Sequence, residues 1–331
     1  MTKHLHVVLK YKKEVEIAGV TFDTIPEHKV VFEKKNKLIW GQFSKGNKSG
    51  VGEDNRKRIS NQVDAGIDSF AFFIENNERE ERELFVGKIN KLYDRKEISA
   101  TSSLKDYIPT YYSGTVGTPA EEISVFVDVS TFLKIDSKLV DEITVESNGE
   151  KVLDISNSRS VFHVNITENL QDLINEMLAN PEANFQYQVE QEGVGDDVTV
   201  DDQPKDVSSK ITVGGRSSYK RDPKTSKNAI ALANYQCEID SSHEGFISKV
   251  TQKNYVEAHH LIPMGSQDDF KKSIDVEANI VSLCASCHKK LHHAEYKVIE
   301  PLIEKLYDHR IGRLNDCEIE LKKDELLSYY K

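Results

Sequence analysis

VEAHHLIPM (residues 256–264) sets two histidines side by side, after a short apolar run and just before a proline. Neighbouring side chains on a strand point to opposite faces. His259 and His260 therefore cannot both serve one compact cluster. The pair is either an exposed turn with two incidental histidines or a strand that separates two tasks. The flanking sequence decides between them. Seven of the eleven histidines lie between 243 and 309, and three of the four cysteines lie between 237 and 287. Such a concentration of nitrogen and sulfur ligands needs a reason.

CASC (284–287) has CxxC spacing, which lets both thiolates reach one zinc ion. Zinc takes about four N/S ligands in a tetrahedron, so two more must come from elsewhere. YQCEIDSSHEGF (235–246) offers Cys237 and His243 on a loop long enough to bring both round. A closed structural Zn2+ on Cys237, His243, Cys284 and Cys287 is expected. CASCH (284–288) also matches the CxxCH pattern of haem attachment, but no export segment accompanies it. A helix beginning near Cys287 puts His288 and His292 on one face and turns His293 away. His259, His288 and His292 can then hold a second, open ion, Mg2+ or another divalent metal. His260 is left on the other face, and a neutral imidazole is suited to general-base work.

The series CEIDSSH, then YVEAHHLIPM, then NIVSLCASCHKKLH resembles the HNH nucleases in their ββα-metal, McrA-like form with a zinc knuckle. The resemblance covers roughly residues 216–296. It implies that His259, His288 and His292 bind the catalytic ion, that His260 is the general base, and that Asn279 orients the base and steadies the loop. It implies hydrolysis of a DNA backbone to 5′-phosphate and 3′-hydroxyl ends. One departure is visible: Asp240 stands where a second cysteine of a paired knuckle would fall. Lys271, Lys272, Lys289 and Lys290 could meet phosphates or simply form a solvated face.

Length and composition frame this core. A chain of 331 residues suggests two domains. Its composition is 38% hydrophobic and 30% charged, as in a soluble globular protein. No apolar run is long enough to span a bilayer, and with no visible signal peptide the cytoplasm is expected. The formal charge of −11 argues against a broad basic coat, but it is unevenly spread. Residues 1–188 hold 24 Lys+Arg against 30 Asp+Glu; residues 189–210 hold 2 against 7; residues 211–331 hold 18 of each. The middle stretch, with Gly and Pro and few large apolar residues, has linker composition. The expected layout is a recognition domain over 1–188, an acidic linker over 189–215 and a nuclease domain with C-terminal helices over 216–331.

The first domain reads as mixed and strand-rich, so the whole is α+β. HLHVVL, KVVF (29–32), FAFFI, LFVGKI, ISVFVDV and VFHVNI are its strand runs, and ITENLQDLINEML is a helix capped by Thr167. LIWGQF, FAFFIENNERE, ELFVGKINKLYD and IPTYYSG resemble EVE-like members of the PUA group. That resemblance implies a pocket for a flipped, modified base, with Trp40, Phe43, Phe70, Tyr111 and Tyr112 as its candidates; plain core is the competing reading of these aromatics. The partner is then double-stranded DNA, with modified cytosine as the feature read, and a homodimer if both strands are cut. The alternatives are a sequence-specific HNH restriction enzyme and a non-catalytic zinc protein that only binds nucleic acid. The last leaves His259, His260, Asn279 and His288 without purpose.

Overall fold

The computed structural model describes residues 4–44, 51–76, 82–155, 160–194, 198–208, 210–213, 216–243 and 245–331. It divides into two compact units, Met1–Asn175 and Glu176–Lys331. No described helix is long and apolar enough to cross a membrane.

The first unit is built on strands β1 (His6–Tyr11), β2 (Glu14–Ile17), β3 (Val20–Asp23), β4 (Leu38–Phe43), β5 (Phe70–Glu75), β6 (Leu84–Asp94), β7 (Ile123–Val129), β8 (Leu133–Ile135), β9 (Ile143–Val145) and β10 (Val161–Ile166). Helices α1 (Thr24–Lys35), α2 (Glu53–Asp64), α3 (Thr110–Ser113) and α4 (Glu168–Ala179) accompany them. Eight described strands form one sheet in the order β4-β7-β6-β5-β1-β10-β9, with β8 also on β6. Only β1 and β5 pair in parallel. β1, β5 and β7 are buried along their whole length, which is why they read as continuous apolar runs rather than as alternation. Neighbouring residues still divide between two cores: Trp40 and Val127 join one, Ile39 and Phe126 the other.

KVVF, expected as a strand, lies inside α1. The β-branched run misled, because the buried positions Thr24, Ile25, His28 and Val31 follow a helical stripe. Thr167 caps α4 as expected, its hydroxyl accepting from the Leu170 amide at 3.2 Å. The aromatic base-pocket candidates divide by burial. Trp40, Phe70 and Tyr112 are buried, and Phe43 and Tyr111 pack half-buried against the cluster that holds Tyr112. The Tyr112 hydroxyl accepts from the Gly41 amide, and Tyr111 stacks on Phe22.

The second unit starts before residue 188. Helix α5 (Pro181–Gln191) buries Phe185 and Val189 against Ala229, Ile230, Ala258 and Ile280 of the same unit. Described residues of the acidic stretch make ion pairs within the second unit. Asp202 makes paired bonds to Arg313 at 2.7 and 2.9 Å, and Lys205 reaches Glu277 at 3.3 Å. A hairpin of β11 (Lys210–Val213) and β12 (Arg216–Tyr219) follows, then α6 (Pro223–Leu232), β13 (Glu257–His260), β14 (Ile280–Leu283), α7 (Ala285–His293), α8 (Tyr296–Asp316) and α9 (Lys323–Ser328). The core of this unit gathers Leu261, Val281 and Leu283 with Ile299, Ile303, Leu306 and Leu314 of α8. Pro301 falls in the second turn of α8 and removes the bond that would reach the carbonyl of the exposed Lys297.

The first unit carries a built-in acid sensitivity. His28 is buried, stacks on Trp40 with ring centres 3.9 Å apart, and donates from Nδ1 to the Thr24 carbonyl. His6 is buried and accepts the Phe70 amide at Nδ1. Burial pushes both imidazoles down to about 3. The unfolded chain takes up these protons below about pH 6.5, the folded unit only near pH 3. Stability is therefore complete above pH 6.5 and declines as the pH falls. Going from pH 7.5 to 5.5 should cost roughly 1 kcal/mol per histidine. The one tryptophan, Trp40, reports it: its denaturant midpoint should fall over this range, and His28→Gln should flatten the slope.

Candidate functional site

The site is assembled by β13, β14 and α7. β13 and β14 pair antiparallel, with His259 opposite Val281 and His260 opposite Ile280. Alternation along EAHH puts Glu257 and His259 on one face and Ala258 and His260 on the other. The faces have different neighbours. Glu257 and His259 meet the α7 histidines, whereas Ala258 packs among the α5 and α6 residues. The strand therefore turns the two adjacent histidines to different surroundings.

At the start of α7, the Cys284 sulfur caps the helix by accepting the Cys287 amide at 3.5 Å. Cys237 and His243 arrive from the loop after α6. The ligand atoms of Cys237, His243, Cys284 and Cys287 all lie within 4.8 Å of one another. His243 turns Nδ1 toward the sulfurs, 3.4 Å from Cys287 and 3.7 Å from Cys284. Its Nε2 sits 3.9 Å from Asp240, the residue in the place of the absent second cysteine. Burial opposes ionisation of Cys237, but backbone amides at Cys284 and Asp240 outweigh it and bring that thiol down to about 7. Burial and the neighbouring sulfurs push Cys287 up to about 12. One thiolate is favoured by these amides, and the next is resisted by burial and its sulfur neighbours. Three sulfurs and one imidazole match the donors that zinc prefers.

The second cluster is all imidazole. Ligand atoms of His259, His288 and His292 again lie within 4.8 Å of one another. His288 and His292, one turn apart on α7, bring their Nε2 atoms to 3.1 Å. His288 is buried, and its Nδ1 donates to Glu257 at 2.5 Å. That bond leaves Nε2 as its lone-pair atom, aimed at the cluster. Glu257 also accepts from the Tyr255 hydroxyl at 3.0 Å; burial works against its charge, but His288 and Tyr255 hold its carboxyl below the usual range. Burial, then the neighbouring histidines, keep His259 far below its ordinary pKa and lower His292. Neutral rings are what a cation needs as ligands. The Tyr330 hydroxyl, 3.1 Å from His259 Nε2, donates to the Leu261 carbonyl and braces the ring. His293 is exposed and stays outside the cluster, and with His288 so engaged CASCH does not present a haem-attachment histidine.

His260 stands apart from both clusters. Its Nε2 donates to Asp275 Oδ1 at 2.7 Å, which leaves Nδ1 with a lone pair. Asn279 makes no described bond to this ring. It is fully buried and clamps the loop instead, accepting from the Ile262 amide at 2.7 Å and donating to the carbonyls of Ile262 and Ile274. The contact expected from the asparagine is made by an aspartate that the sequence reading did not single out.

His259, His260, His288 and His292 line one groove of about 670 Å³. Its cationic residues are Lys210, Arg221 and Lys331; Lys271, Lys272, Lys289 and Lys290 do not line it. Arg221 pairs with Glu182 at 2.6 Å and lies over the Phe185 ring. Of the residues missed from the sequence, Glu257 had a signal, because it shares a strand face with His259 two positions on. Asp275, Glu182 and Arg221 had none, since they converge only through loops and a neighbouring helix.

The sulfur cluster gives a direct expectation. The purified chain should carry one zinc ion, and Cys287→Ser should lose it and lower the thermal midpoint of the second unit, because binding energy at closed sites is folding energy. Metal analysis beside a melting curve checks this; full stability without zinc would contradict it.

No curated protein matches the chain. The model of the HNH endonuclease family matches residues 245–294, a span that holds β13, β14, α7 and both halves of the histidine site. The second unit of this chain carries an HNH endonuclease domain.

Proposed function

We propose that the chain is a divalent-metal-dependent DNA endonuclease that cuts DNA bearing a modified cytosine, in defence against foreign DNA. The observation that carries the nuclease reading is the division of labour in the groove. Three histidines converge on one face of β13, and His260 keeps an unshared nitrogen on the other.

An ion held by His259, His288 and His292 would supply positive charge to a pentacovalent phosphorus and to the departing oxygen. The protein's own residues do the rest. His260 accepts a proton from water at Nδ1. The water oxygen forms a bond to phosphorus in line with the 3′ oxygen, and the bond from phosphorus to that oxygen breaks. The products are a 5′-phosphate and a 3′-hydroxyl, the latter protonated from solvent. Glu257 holds the His288 ring, and Asn279 holds the backbone on either side of the turn after His260. Arg221, Lys210 and Lys331 are the groove's means of meeting backbone phosphates.

The choice of DNA is assigned to the first unit, by its resemblance to EVE-like domains and because an HNH core of this size leaves little room for reading sequence. One such site cuts one strand, so a double-strand break takes a second copy or a second encounter. Digestion of matched plain and cytosine-modified DNA, with each divalent ion in turn, tests the reading. The modified substrate should be cut and the plain one spared. His260→Ala should lose roughly 10²–10⁴ in rate while keeping its zinc. Equal cutting of both substrates rejects modification dependence, and no cutting of any DNA rejects the nuclease.

A further inference from the structure

We propose that Asp275 is a positioning residue that locks His260 in the tautomer with its proton on Nε2; the consequence for cleavage rests on the nuclease reading above. Three observations carry the idea. The pair is sequestered, with side chains only 5% and 9% exposed for His260 and Asp275. The two carboxylate oxygens have different donors: Oδ1 takes the His260 Nε2 proton at 2.7 Å, and Oδ2 takes the Asp222 backbone amide at 2.6 Å. Both anchors are fixed independently. Asp222 is the cap of α6, its own side chain accepting from the Lys224 amide and the Thr225 hydroxyl. The loop before Asp275 is pinned at Ile274, whose amide donates to Gln267 and whose carbonyl accepts from Asn279.

The chemistry follows from counting donors and acceptors. A carboxylate accepts on both oxygens, so it satisfies the Asp222 amide and the imidazole N–H together. A carboxamide has one accepting oxygen and one donating nitrogen. The Asp222 amide can only donate, so in Asp275→Asn the oxygen must turn to it and the amide nitrogen must face His260. The ring would then have to accept at Nε2 and carry its proton on Nδ1. A neutral imidazole protonated at Nδ1 cannot take a proton from water there. The backbone amide that starts α6 thus sets, through Asp275, which nitrogen of His260 is basic. A change of one atom type at constant shape should abolish the base without disturbing the fold.

Two readouts test this on the full-length, zinc-loaded chain. Long-range 15N–1H spectra of histidine-labelled protein distinguish the two ring tautomers, with the His260 signals identified by their loss in His260→Gln. The wild type should show Nε2–H, and Asp275→Asn should show Nδ1–H. In cleavage assays Asp275→Asn should lower kcat on the order of 10²-fold or more, with KM for DNA, zinc content and melting temperature unchanged. Asp275→Ala, which lets water bond to Nε2 in either role, should lose less than the isosteric amide. A wild-type ring protonated on Nδ1 overturns the proposal from its own spectrum, with no variant needed. So does an unchanged tautomer in Asp275→Asn, or wild-type kcat in that variant. The spectra need no DNA, so a chain that cuts nothing would sink the nuclease reading and leave the tautomer lock standing or falling on its own.

Discussion

Everything at this site follows from the pairing of four residues, Glu257–His260, with β14. An extended backbone turns successive side chains to opposite faces, and pairing with Ile280–Leu283 holds it there. One face meets α7 and gathers histidines. The other meets α5 and α6 and isolates a single imidazole. Slipping the register by one residue would exchange the faces and place His260 among the metal-ligating rings. The fixed partners on both sides oppose that slip: Glu257 bonded to His288, Ala258 buried in an apolar cluster and bonded through its backbone to Gln186, and His260 bonded to Asp275.

Two candidate ion sites share the helix α7, and their surroundings suit different work. Three sulfurs and His243 close round one point, with Cys284 serving at once as helix cap and as ligand candidate. Such a set braces the loop after α6 against the strand pair, where a small unit has few other means of fixing a long connection. The three imidazoles instead face a groove; burial lowers the pKa of His259 and His292, and the bond from His288 to Glu257 leaves its Nε2 free. The difference between a closed and an accessible donor set is the difference between architecture and chemistry.

Much of this was legible in the sequence because metal chemistry writes itself in residue types. Cysteines spaced for one ion and histidines one helical turn apart announce themselves without a fold. The strand Glu257–His260 was legible too, and its alternation already paired Glu257 with His259. What escaped were contacts that depend on where loops return. Asp275 lies fifteen residues beyond His260, and nothing in the spacing says that the chain comes back to it. The first unit was less readable for a different reason. Its central strands are buried on both faces, so they lack alternation, and aromatics such as Trp40 and Tyr112 divide between two cores that no periodicity announces. Phe185 and Val189 misplaced the boundary between the units, because an apolar stripe on α5 does not name the core it joins.

The central claim is that one sealed and one accessible ion sit on opposite ends of the same short helix. Crystals of the zinc-loaded chain soaked in Mn2+, with anomalous scattering collected at the zinc and manganese edges, test it most directly. The account predicts zinc among Cys237, His243, Cys284 and Cys287, and manganese among His259, His288 and His292 beside an ion-free His260. Manganese absent from the three histidines, or coordinated by His260, would contradict it.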